Sequence, residues 1–390
     1  MKKLKKIVLI GPVYPYKGGI SHYTTMLYRA LEEKYDVTMV SFKLQYPKFL
    51  FKKEQKDYSN KSFQIDGTNY WINTANPLNW TACAEKISRI HPDLIIMEWW
   101  HPYFAPCYKI MNLFLKKINV LFLCHNVFPH ERFPLDRMLT RLTLKCGDGF
   151  IVQSTQDGDD LCSIMRHPVY RKTVHPTYNV FKQEDLSKAE GRKRLGLRDG
   201  APVLLFFGFV RAYKGLRHLI HAMPAVCREY PDAEVLIVGE FSGDKEQYLK
   251  LIEDHKLDGN VKIYDGYIPD REVGKFFVAC DLVVLPYESA TQSGIVQIAY
   301  GFEKPVIVTN VGGLPEVVSD GRTGYVVEPR NPEELAERII QYFKEGMESA
   351  FRENIEQEAY RYSWERMVEV IEELYRDMEN DGLQSVTVDR

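Results

Sequence analysis

The densest group of residues able to do chemistry lies between two apolar runs, in Pro-Tyr-Glu-Ser-Ala-Thr-Gln-Ser-Gly-Ile at positions 286–295. Small and hydroxyl residues there leave several backbone N–H groups available at a helix start. Aligned amides and the helix dipole together bind phosphate. Ser293 and Gly294 are the best candidates for that contact, although the same pattern occurs in strand–loop–helix turns that bind nothing.

A second candidate is the pair Arg211 and Lys214 in the turn Gly208–Gly215. Two cations after a buried strand could clamp a pyrophosphate, with arginine binding through two N–H groups and lysine acting as a point charge. The alternative is a solvated loop pair. The serine and glycine helix start in the same predicted domain favours the phosphate interpretation.

The first half carries weaker signals. Gly18 and Gly19 precede a helix and permit close approach of a ligand or backbone, but their spacing is not that of a dinucleotide fingerprint. His125 follows an apolar strand and could donate a hydrogen bond or act as an acid or base. In the second half, Glu316 follows a Gly-Gly pair near a helix start, where the dipole favours an anion.

These residues are positioned by short apolar runs that alternate with helical patterns, which predicts α/β domains with parallel sheets covered on both faces. The predicted strands are 6–10, 37–42, 94–97, 120–124, 149–153, 202–207, 234–238, 261–264, 282–285, 305–309 and 324–327. The charged stretch 182–200 contains no strand, so we place the domain boundary there. From Pro332 the tail is helical, with Ser363 as a helix cap.

The two halves contain similar eight-residue segments. Gly-Pro-Val-Tyr-Pro-Tyr-Lys-Gly at 11–18 and Gly-Phe-Val-Arg-Ala-Tyr-Lys-Gly at 208–215 agree at five of eight positions. Each follows the first strand of its half, and ligands of open α/β sheets bind at the carboxyl ends of strands. Duplication and convergence on one loop type both explain the match.

Composition narrows the class of protein. With 390 residues, two domains are the default, and 45% hydrophobic with 13% aromatic residues excludes a disordered chain. Apolar runs are too short for a membrane span or a secretory signal, so we expect a cytoplasmic protein. The seven dispersed cysteines form no C-x-x-C pair, and His130 and Glu131 lack metal-ligand spacing, so neither disulfides nor a metal site is expected.

Charge is distributed unevenly. Residues 1–180 hold 25 Lys+Arg and 15 Asp+Glu, or +10, and residues 181–390 hold 26 and 38, or −12. The acidic half cannot offer a broad face to nucleic acid, whereas the basic half could attract a phosphorylated acceptor or a phospholipid surface. The stretch Tyr46–Lys53 mixes bulky apolar residues with Lys48, Lys52 and Lys53, a pattern that fits either an anionic membrane interface or an exposed loop.

The ordered motifs of residues 200–330 closely resemble family 4 glycosyltransferases, also called glycosyl transferases group 1. The motifs are Gly208–Leu216, Val261–Asp270, Asp281–Tyr287, Gln292–Gly294, Lys304–Thr309 and Gly312–Glu316. The resemblance implies a GT-B fold, in which two Rossmann-like, doubly wound parallel-sheet domains face each other across a cleft. The domains would be 1–180 and 200–360, with a crossing helix at about 363–380 that returns to the first.

The resemblance also implies roles for single residues. Arg211 and Lys214 would neutralise the diphosphate leaving group with the amides near Ser293, Gly294 and Ile295. His125 would contact the transferred sugar. The remaining donor contacts would come from Gly18, Gly19, Glu288, Gln292, Gln297 and Glu316.

The chain departs from the family in its donor loop. Two glutamates usually stand seven residues apart, but Ala290 and Ile298 occupy those positions here. Glu288 and Gln297 lie close by as substitutes. The family's arginine position falls on Phe209, so Arg211 would serve instead. These features indicate a subgroup with Gln-Ser-Gly in this loop.

The predicted activity is therefore a retaining transfer of a sugar from a nucleotide-diphosphate sugar, without metal or cofactor. The acceptor would be a saccharide or a polyprenyl-phosphate-linked sugar in cell-surface polysaccharide synthesis, reached from the cytoplasm or the inner face of the membrane. A nucleotide-sugar 2-epimerase, a phosphorylase and a catalytically inactive nucleotide-binding relative stay open as alternatives.

Overall fold

The computed structural model describes residues 3–51, 54–58, 60–129, 133–182, 184–243 and 245–388, the last eight by their backbone alone. The chain divides into two compact units, Met1–Val174 with Ser363–Arg390, and His175–Tyr362. No described helix has the length and apolar character needed to cross a membrane.

The described part of the first unit contains a seven-stranded parallel sheet in the order β3-β2-β1-β4-β5-β6-β7. Its strands are β1 (Lys6–Ile10), β2 (Asp36–Leu44), β3 (Asn69–Asn73), β4 (Leu94–Trp99), β5 (Asn119–Cys124), β6 (Gly149–Val152) and β7 (Tyr170–Lys172). Its helices are α1 (Gly19–Glu32), α2 (Pro77–Ile90), α3 (Ala105–Phe114), α4 (Asp136–Leu144) and α5 (Thr155–Ile164).

The described part of the second unit contains a six-stranded parallel sheet in the order β10-β9-β8-β11-β12-β13. Its strands are β8 (Val203–Phe207), β9 (Glu234–Val238), β10 (Val261–Tyr264), β11 (Leu282–Leu285), β12 (Val306–Thr309) and β13 (Gly324–Val327). Its helices are α6 (Lys188–Arg194), α7 (Leu216–Glu229), α8 (Lys245–Asp254), α9 (Asp270–Ala279), α10 (Gly294–Gly301), α11 (Leu314–Val317), α12 (Pro332–Lys344) and α13 (Glu348–Gln357).

Both sheets are doubly wound. The central strands β4, β8 and β11 are fully buried, because helices cover both faces of each sheet. The chain turns outward in opposite directions from β1 and β4 in one unit and from β8 and β11 in the other. Ligands of such sheets bind beyond the carboxyl ends of the strands at this switch point. The predicted α/β fold class is confirmed.

The domain division differs in detail from the sequence-based placement. The units divide between Val174 and His175, and the 182–200 stretch lies within the second unit. There α6 begins with a full capping box at Ser187, and the Arg192 guanidinium binds the buried carboxylate of Asp281 at 2.8 Å. Burial of this ion pair explains why a charged stretch packs on a domain instead of linking two.

The C-terminal helix α14 (Trp364–Val388) belongs to the first unit. Its start is capped as predicted, because the Arg366 N–H donates to Ser363 Oγ at 3.0 Å. Met378 packs so closely on β6 that a Cβ at Gly149 would lie 2.5 Å from its sulfur. The predicted helical tail is interrupted before α14 by a short 3-10 helix at Ala359–Tyr362.

Candidate functional site

The turn after β8 is shaped by two glycines in left-handed conformations. Gly208 has φ of 103° and Gly215 has φ of 65°. A Cβ at Gly215 would lie 1.9 Å from the Pro286 carbonyl oxygen, so only glycine fits where this turn meets the loop after β11. The two loops at the switch point of the second sheet are therefore packed backbone against backbone.

The ammonium of Lys214 lies where these two loops meet α10. Lys214 Nζ is 5.2 Å from the centre of the Tyr287 ring. A Cβ built on Gly208 would be 3.1 Å from that nitrogen and 3.6 Å from the Ile295 side chain. One cation thus stands beside the first turn of a helix, at the carboxyl edge of the sheet.

The start of α10 has features that suit an anion. Ser293 is its N-cap and accepts the Ile295 N–H at 3.3 Å, and the Tyr287 hydroxyl lies 3.4 Å from Ser293 Oγ. The amides that open the helix, with Gly294 as its first residue, carry the positive end of the helix dipole. Together with the ammonium of Lys214 they make an electropositive corner.

Arg211 begins the 3-10 helix Ala212–Lys214, and its carbonyl oxygen accepts the Lys214 N–H at 2.9 Å. Its side chain is exposed. The structure therefore brings Lys214 to the start of α10, while Arg211 lies at the solvent-facing end of the same turn.

Glu288 is the centre of a cluster of two arginines and a histidine. Its carboxylate lies 2.9 Å from His218 Nε2 and 3.0 Å from Arg330 Nε, and it also binds the Arg217 guanidinium. Burial pushes the pKa of Glu288 up, but hydrogen bonds from His218 and Arg330 and the charge of Arg217 outweigh it and hold the pKa below its usual range. The Glu288 N–H also donates to the Tyr213 carbonyl at 2.7 Å. Glu288 therefore ties the two loops together.

Two buried amides of the donor loop are unsatisfied. Among the described residues, the side-chain oxygens of Gln292 and Gln297 have no hydrogen-bond partner, and Gln297 is 1% exposed. Ala290 and Ile298, at the positions of the family's glutamates, are buried and apolar. Buried polar atoms without partners are uncommon in native proteins and need an explanation, such as a ligand.

A second glycine pair positions this loop from the other side. Gly312 has φ of 51°, and a Cβ there would lie 1.6 Å from the Ala290 carbonyl oxygen. The Gly313 N–H donates to the Thr291 carbonyl at 2.8 Å. Glu316 stands in the first turn of α11, directly after this contact, and its carbonyl oxygen accepts the Arg361 guanidinium at 2.6 Å.

The first unit has its own cluster at the switch point of its sheet. Glu98, at the end of β4, is fully buried and accepts the Thr24 hydroxyl at 2.6 Å. His125, directly after β5, lies 3.4 Å from the same carboxylate oxygen and is 3% exposed. The Tyr23 ring packs edge-on against the His125 ring, with 4.7 Å between the two ring centres. The other oxygen of Glu98 has no partner in the described part of the chain.

Burial dominates the electrostatics of this cluster. It raises the pKa of Glu98, and the hydrogen bonds from His125 and Thr24 oppose the rise. Glu98 is not among the site residues predicted from the sequence. The available signal was a carboxylate inside an apolar strand, in Leu-Ile-Ile-Met-Glu-Trp.

Gly18 and Gly19 open α1 on the same side of the sheet. Gly18 has φ of 108°, and no described atom lies within 4 Å of a Cβ added at either glycine. The helix start is therefore accessible. His101, which follows β4, caps the 3-10 helix Pro102–Phe104, because its Nδ1 accepts the Tyr103 N–H at 3.1 Å.

No group of three or more His, Cys, Asp or Glu side chains among the described residues is arranged to hold a metal ion. His130 and Glu131, whose spacing argued against a metal site, lie outside the described residues, as do Lys52 and Lys53.

Comparison with known proteins assigns the second unit to a protein family. A family model described as glycosyl transferases group 1 matches residues 187–362. The second unit belongs to this glycosyltransferase family. The resemblance predicted from the ordered motifs is thereby confirmed, although no comparison tests the Gln-Ser-Gly subgroup.

Curated relatives of this glycosyltransferase domain include two that share nearly a third of their aligned residues with the chain. An uncharacterized glycosyltransferase of Methanocaldococcus jannaschii is 28% identical over 232 residues, which are 56% of this chain and 57% of that protein. The D-inositol 3-phosphate glycosyltransferase of Corynebacterium urealyticum is 31% identical over 195 residues, 48% of this chain and 46% of that protein. The chain spans about half the length of these relatives.

Solved structures extend the likeness of fold to both units. Sucrose-phosphate synthase from Thermosynechococcus elongatus has a TM-score of 0.71 at 19% identity, covering 97% of this chain and 100% of that one. HepE from Anabaena, in complex with UDP, has a TM-score of 0.70 at 18% identity with the same coverage. The predicted GT-B fold class, with two doubly wound parallel-sheet domains, is confirmed.

Proposed function

We propose that the chain transfers a hexose from a nucleotide-diphosphate sugar to a saccharide or polyprenyl-phosphate-linked acceptor, with retention of configuration and without a metal. The observation that carries the proposal is the meeting of the Lys214 ammonium with the Ser293-capped start of α10. A cation and a helix N-terminus at the switch point of a doubly wound sheet suit a diphosphate.

In this proposal the second unit stabilises the leaving group. Negative charge develops on the diphosphate as the bond to the sugar breaks. Lys214 and the amides near Ser293, Gly294 and Ile295 are fixed before that charge appears, so they stabilise it without reorganising. Arg211, at the exposed end of the same turn, is proposed to close on the diphosphate as a bidentate donor.

The unsatisfied amides suggest how donor hydroxyls are held. Gln292 and Gln297 each offer a buried carbonyl oxygen, which accepts hydrogen bonds as a ribose or sugar hydroxyl donates them. Glu288 is already engaged by two guanidinium groups and an imidazole, so we assign it the positioning of the two loops rather than the ribose contact. We assign the ribose contact to Gln297.

The first unit is proposed to contribute His125 as a contact of the transferred sugar. The carboxylate of Glu98 and the ring of Tyr23 hold the orientation of the imidazole. Gly18 and Gly19, with open space around them, are proposed to admit the diphosphate and the acceptor. The role in cell-surface polysaccharide synthesis rests on the basic character of residues 1–180.

The test is thermal melting with UDP, GDP, ADP, CDP and dTDP, each with EDTA present. A ligand at about 100 times its dissociation constant adds about 2.7 kcal/mol of stability, which gives a clear shift. We expect one nucleotide to stabilise the wild type, and the HepE complex with UDP makes UDP the first choice. Lys214→Met should lose the shift, whereas Lys250→Met, at an exposed position on α8, should keep it. No shift with any nucleotide would contradict the donor site.

A second candidate is an inactive nucleotide-binding relative, favoured by the apolar Ala290 and Ile298 in place of two glutamates. It predicts the nucleotide shift but no release of diphosphate from any nucleotide sugar, with or without acceptors. Release without an acceptor would indicate hydrolysis or the 2-epimerase alternative. Transfer to an acceptor with retained configuration establishes the proposed reaction.

A further inference from the structure

Two imidazoles face each other at the surface of the second unit. His221 lies in α7 and is exposed, and His255 directly follows α8 and is half-buried. His221 Nδ1 is 2.9 Å from His255 Nε2, and the two ring centres are 5.0 Å apart. Ring nitrogens at this distance share one proton, so at least one of the two imidazoles is neutral.

The surroundings favour the neutral form of His221. Partial burial, followed by the charges of His255, His218 and Arg217, lowers the pKa of His221, and the charge of Glu333 opposes them. A lowered pKa leaves the imidazole neutral near pH 7. Neutral imidazole has a nitrogen lone pair available, and it is the form that binds metal ions.

Carboxylates lie close to the pair along the chain and across the helices. Glu253 and Asp254 directly precede His255, and Glu333 lies in the first turn of α12, which packs on α7. These three acidic side chains are exposed, and none is within ion-pair distance of a cation in the described part of the chain. Lys256 is exposed on the other side of His255 in the sequence.

The end of α8 adds to the attraction for a cation. The His255 N–H donates to the Leu251 carbonyl at 3.2 Å, so His255 stands at the carboxyl end of this helix. The last carbonyl groups of a helix carry the negative end of its dipole, which favours positive charge. Arg217, a cation whose charge reaches His221, is bound by the Glu288 carboxylate.

The separation of the two nitrogens suits a metal ion between them. Bonds of about 2.05 Å to two nitrogens 2.9 Å apart enclose an angle of about 90°, as in octahedral or square-planar coordination. A tetrahedral angle needs a separation of about 3.3 Å, which a small rotation of two surface rings supplies. Among the described residues no third His, Cys, Asp or Glu stands at ligand distance.

We propose that His221 and His255 bind a divalent transition-metal ion, with Zn²⁺ as the probe, and that Glu333 changes its rotamer to become the third ligand. Imidazole is a preferred ligand of such ions, and carboxylate and water complete their coordination. The ring that carries the shared proton moves it to its other nitrogen, so both facing lone pairs become available.

This site escapes sequence motifs because its histidines are 34 residues apart and meet only when α7 packs against α8. Metal motifs such as H-x-x-x-H describe ligands on one element. The bound ion would join α7 to the end of α8 and would take no part in the transfer reaction. The proposal is therefore independent of donor chemistry.

The experiment is isothermal titration calorimetry of the full chain, without an affinity tag, with ZnCl₂ and separately with MgCl₂ at pH 7.5. We expect one tight zinc site and no binding of Mg²⁺, which prefers oxygen ligands. His221→Gln and His255→Gln should each weaken zinc binding on the order of 100-fold, because one of two nitrogen ligands is lost. Glu333→Gln should weaken it about tenfold.

Matched controls replace similar side chains elsewhere. His91→Gln changes an exposed histidine at the end of α2, and Glu337→Gln changes an exposed glutamate one turn beyond Glu333. Both should bind zinc as the wild type does. Electron paramagnetic resonance with Cu²⁺ in place of zinc should show two coordinated nitrogens in the wild type and one in either variant of the pair.

The proposal is overturned if the wild type binds Zn²⁺ no more tightly than Mg²⁺, or if His221→Gln and His255→Gln bind zinc as tightly as the wild type. Unchanged binding by Glu333→Gln overturns its assignment as the third ligand. Far-ultraviolet circular dichroism shows whether each variant is folded.

Melting with nucleotide, in zinc and in EDTA, separates this site from the donor site. The shift caused by the nucleotide should be the same in both. A nucleotide shift that needs zinc would overturn the independence of the two sites. Because the calorimetry contains no nucleotide sugar, failure to bind zinc leaves the glycosyltransferase proposal untouched.

Discussion

The two glycine turns at the switch points make an informative pair. Residues 11–18 and 208–215 share five of eight positions and follow the first strand of each sheet. A Cβ on Gly11 would lie 3.0 Å from the carboxyl carbon of Glu98, whereas a Cβ on Gly208 would lie 3.1 Å from the ammonium of Lys214. The same type of turn thus approaches an acid in one unit and a cation in the other.

The difference shows that the backbone provides the space and the neighbouring charge selects its occupant. Lys17 occupies the position of Lys214 in the segment 11–18, but Lys17 is exposed. The first turn instead faces a buried acid beside an imidazole. The buried acid, whose pKa is raised by burial, offers a diphosphate no electrostatic attraction, whereas the cation of the second unit attracts it. Four substitutions test this contrast.

The largest effect is expected from removing the cation of the second turn. Lys214→Met should lower the turnover number about 100- to 1,000-fold, the usual loss when one fixed donor to a developing charge is removed. The folded state should be retained. Initial rates of nucleotide release at saturating donor measure the effect, with Lys250→Met as control. An unchanged turnover number would remove Lys214 from the contrast.

The next effect tests the backbone of the second turn. Gly215→Ala should cost more than about 3 kcal/mol in the free energy of unfolding, because its Cβ would overlap the Pro286 carbonyl oxygen. Gly196→Ala is the matched control. Gly196 has φ of 60° but open space around it, so only the left-handed penalty of about 1–2 kcal/mol applies. Urea denaturation of both variants measures the difference, and equal losses would show that the close approach is unimportant.

A third test concerns the carboxylate that joins the two loops. Glu288→Gln should lower the free energy of unfolding by about 1–3 kcal/mol near pH 7, because Arg217, His218 and Arg330 lose their shared carboxylate partner. Since the folded pKa of Glu288 is depressed, its contribution is present above about pH 4.5 and is lost as the pH falls through the folded pKa.

Denaturation of wild type and Glu288→Gln at pH 7 and pH 3.5 measures this dependence. The gap in stability should shrink at the lower pH. A gap that stays constant would mean that shape, and not charge, makes Glu288 useful.

The smallest effect is expected from replacing Glu98, the buried acid beside the first turn. The folded pKa of Glu98 is raised, so the stability of the wild type is highest below about pH 4.5 and declines as the pH rises through the folded pKa. Glu98→Gln removes that decline, so its melting temperature should gain on the wild type between pH 5 and pH 8. Each unit of raised pKa corresponds to about 1.4 kcal/mol.

The control for this fourth test is Glu85→Gln, at a glutamate whose side chain is 65% exposed on α2. It should leave the pH dependence unchanged. If Glu98→Gln instead loses stability relative to the wild type as the pH rises, Glu98 is a stabilising anion in the folded protein and burial does not raise its pKa.

The sequence predicted the central strands well and missed two at the sheet edges. Buried runs such as Glu234–Val238 were placed without error, because a parallel strand covered on both faces is continuously apolar. β3 and β7 were not predicted. All three residues of β7 are exposed, so this edge strand is defined by backbone pairing with β6, which its own side chains do not encode.

The candidate site was predictable only in part. The location of Lys214 and Ser293 at strand ends followed from motifs and topology. The roles assigned to them remain predictions. Glu98 was missed because its burial depends on α1, β4 and β5 coming together, and no local pattern reports a contact among three separate elements. The contacts of Glu288 with Arg217, His218 and Arg330, which are distant in sequence, could not be predicted for the same reason.

The contacts of Gly312 and Gly313 with residues 290 and 291 are made through main-chain atoms. The main chain therefore fixes the course of that loop. Ala290 and Thr291 are buried, whereas Gln292 is half-buried, so Gln292 can be varied in a library while the loop stays in register. Varying this single position is a route to retuning the donor preference proposed for the second unit without redesigning the domain that supports it.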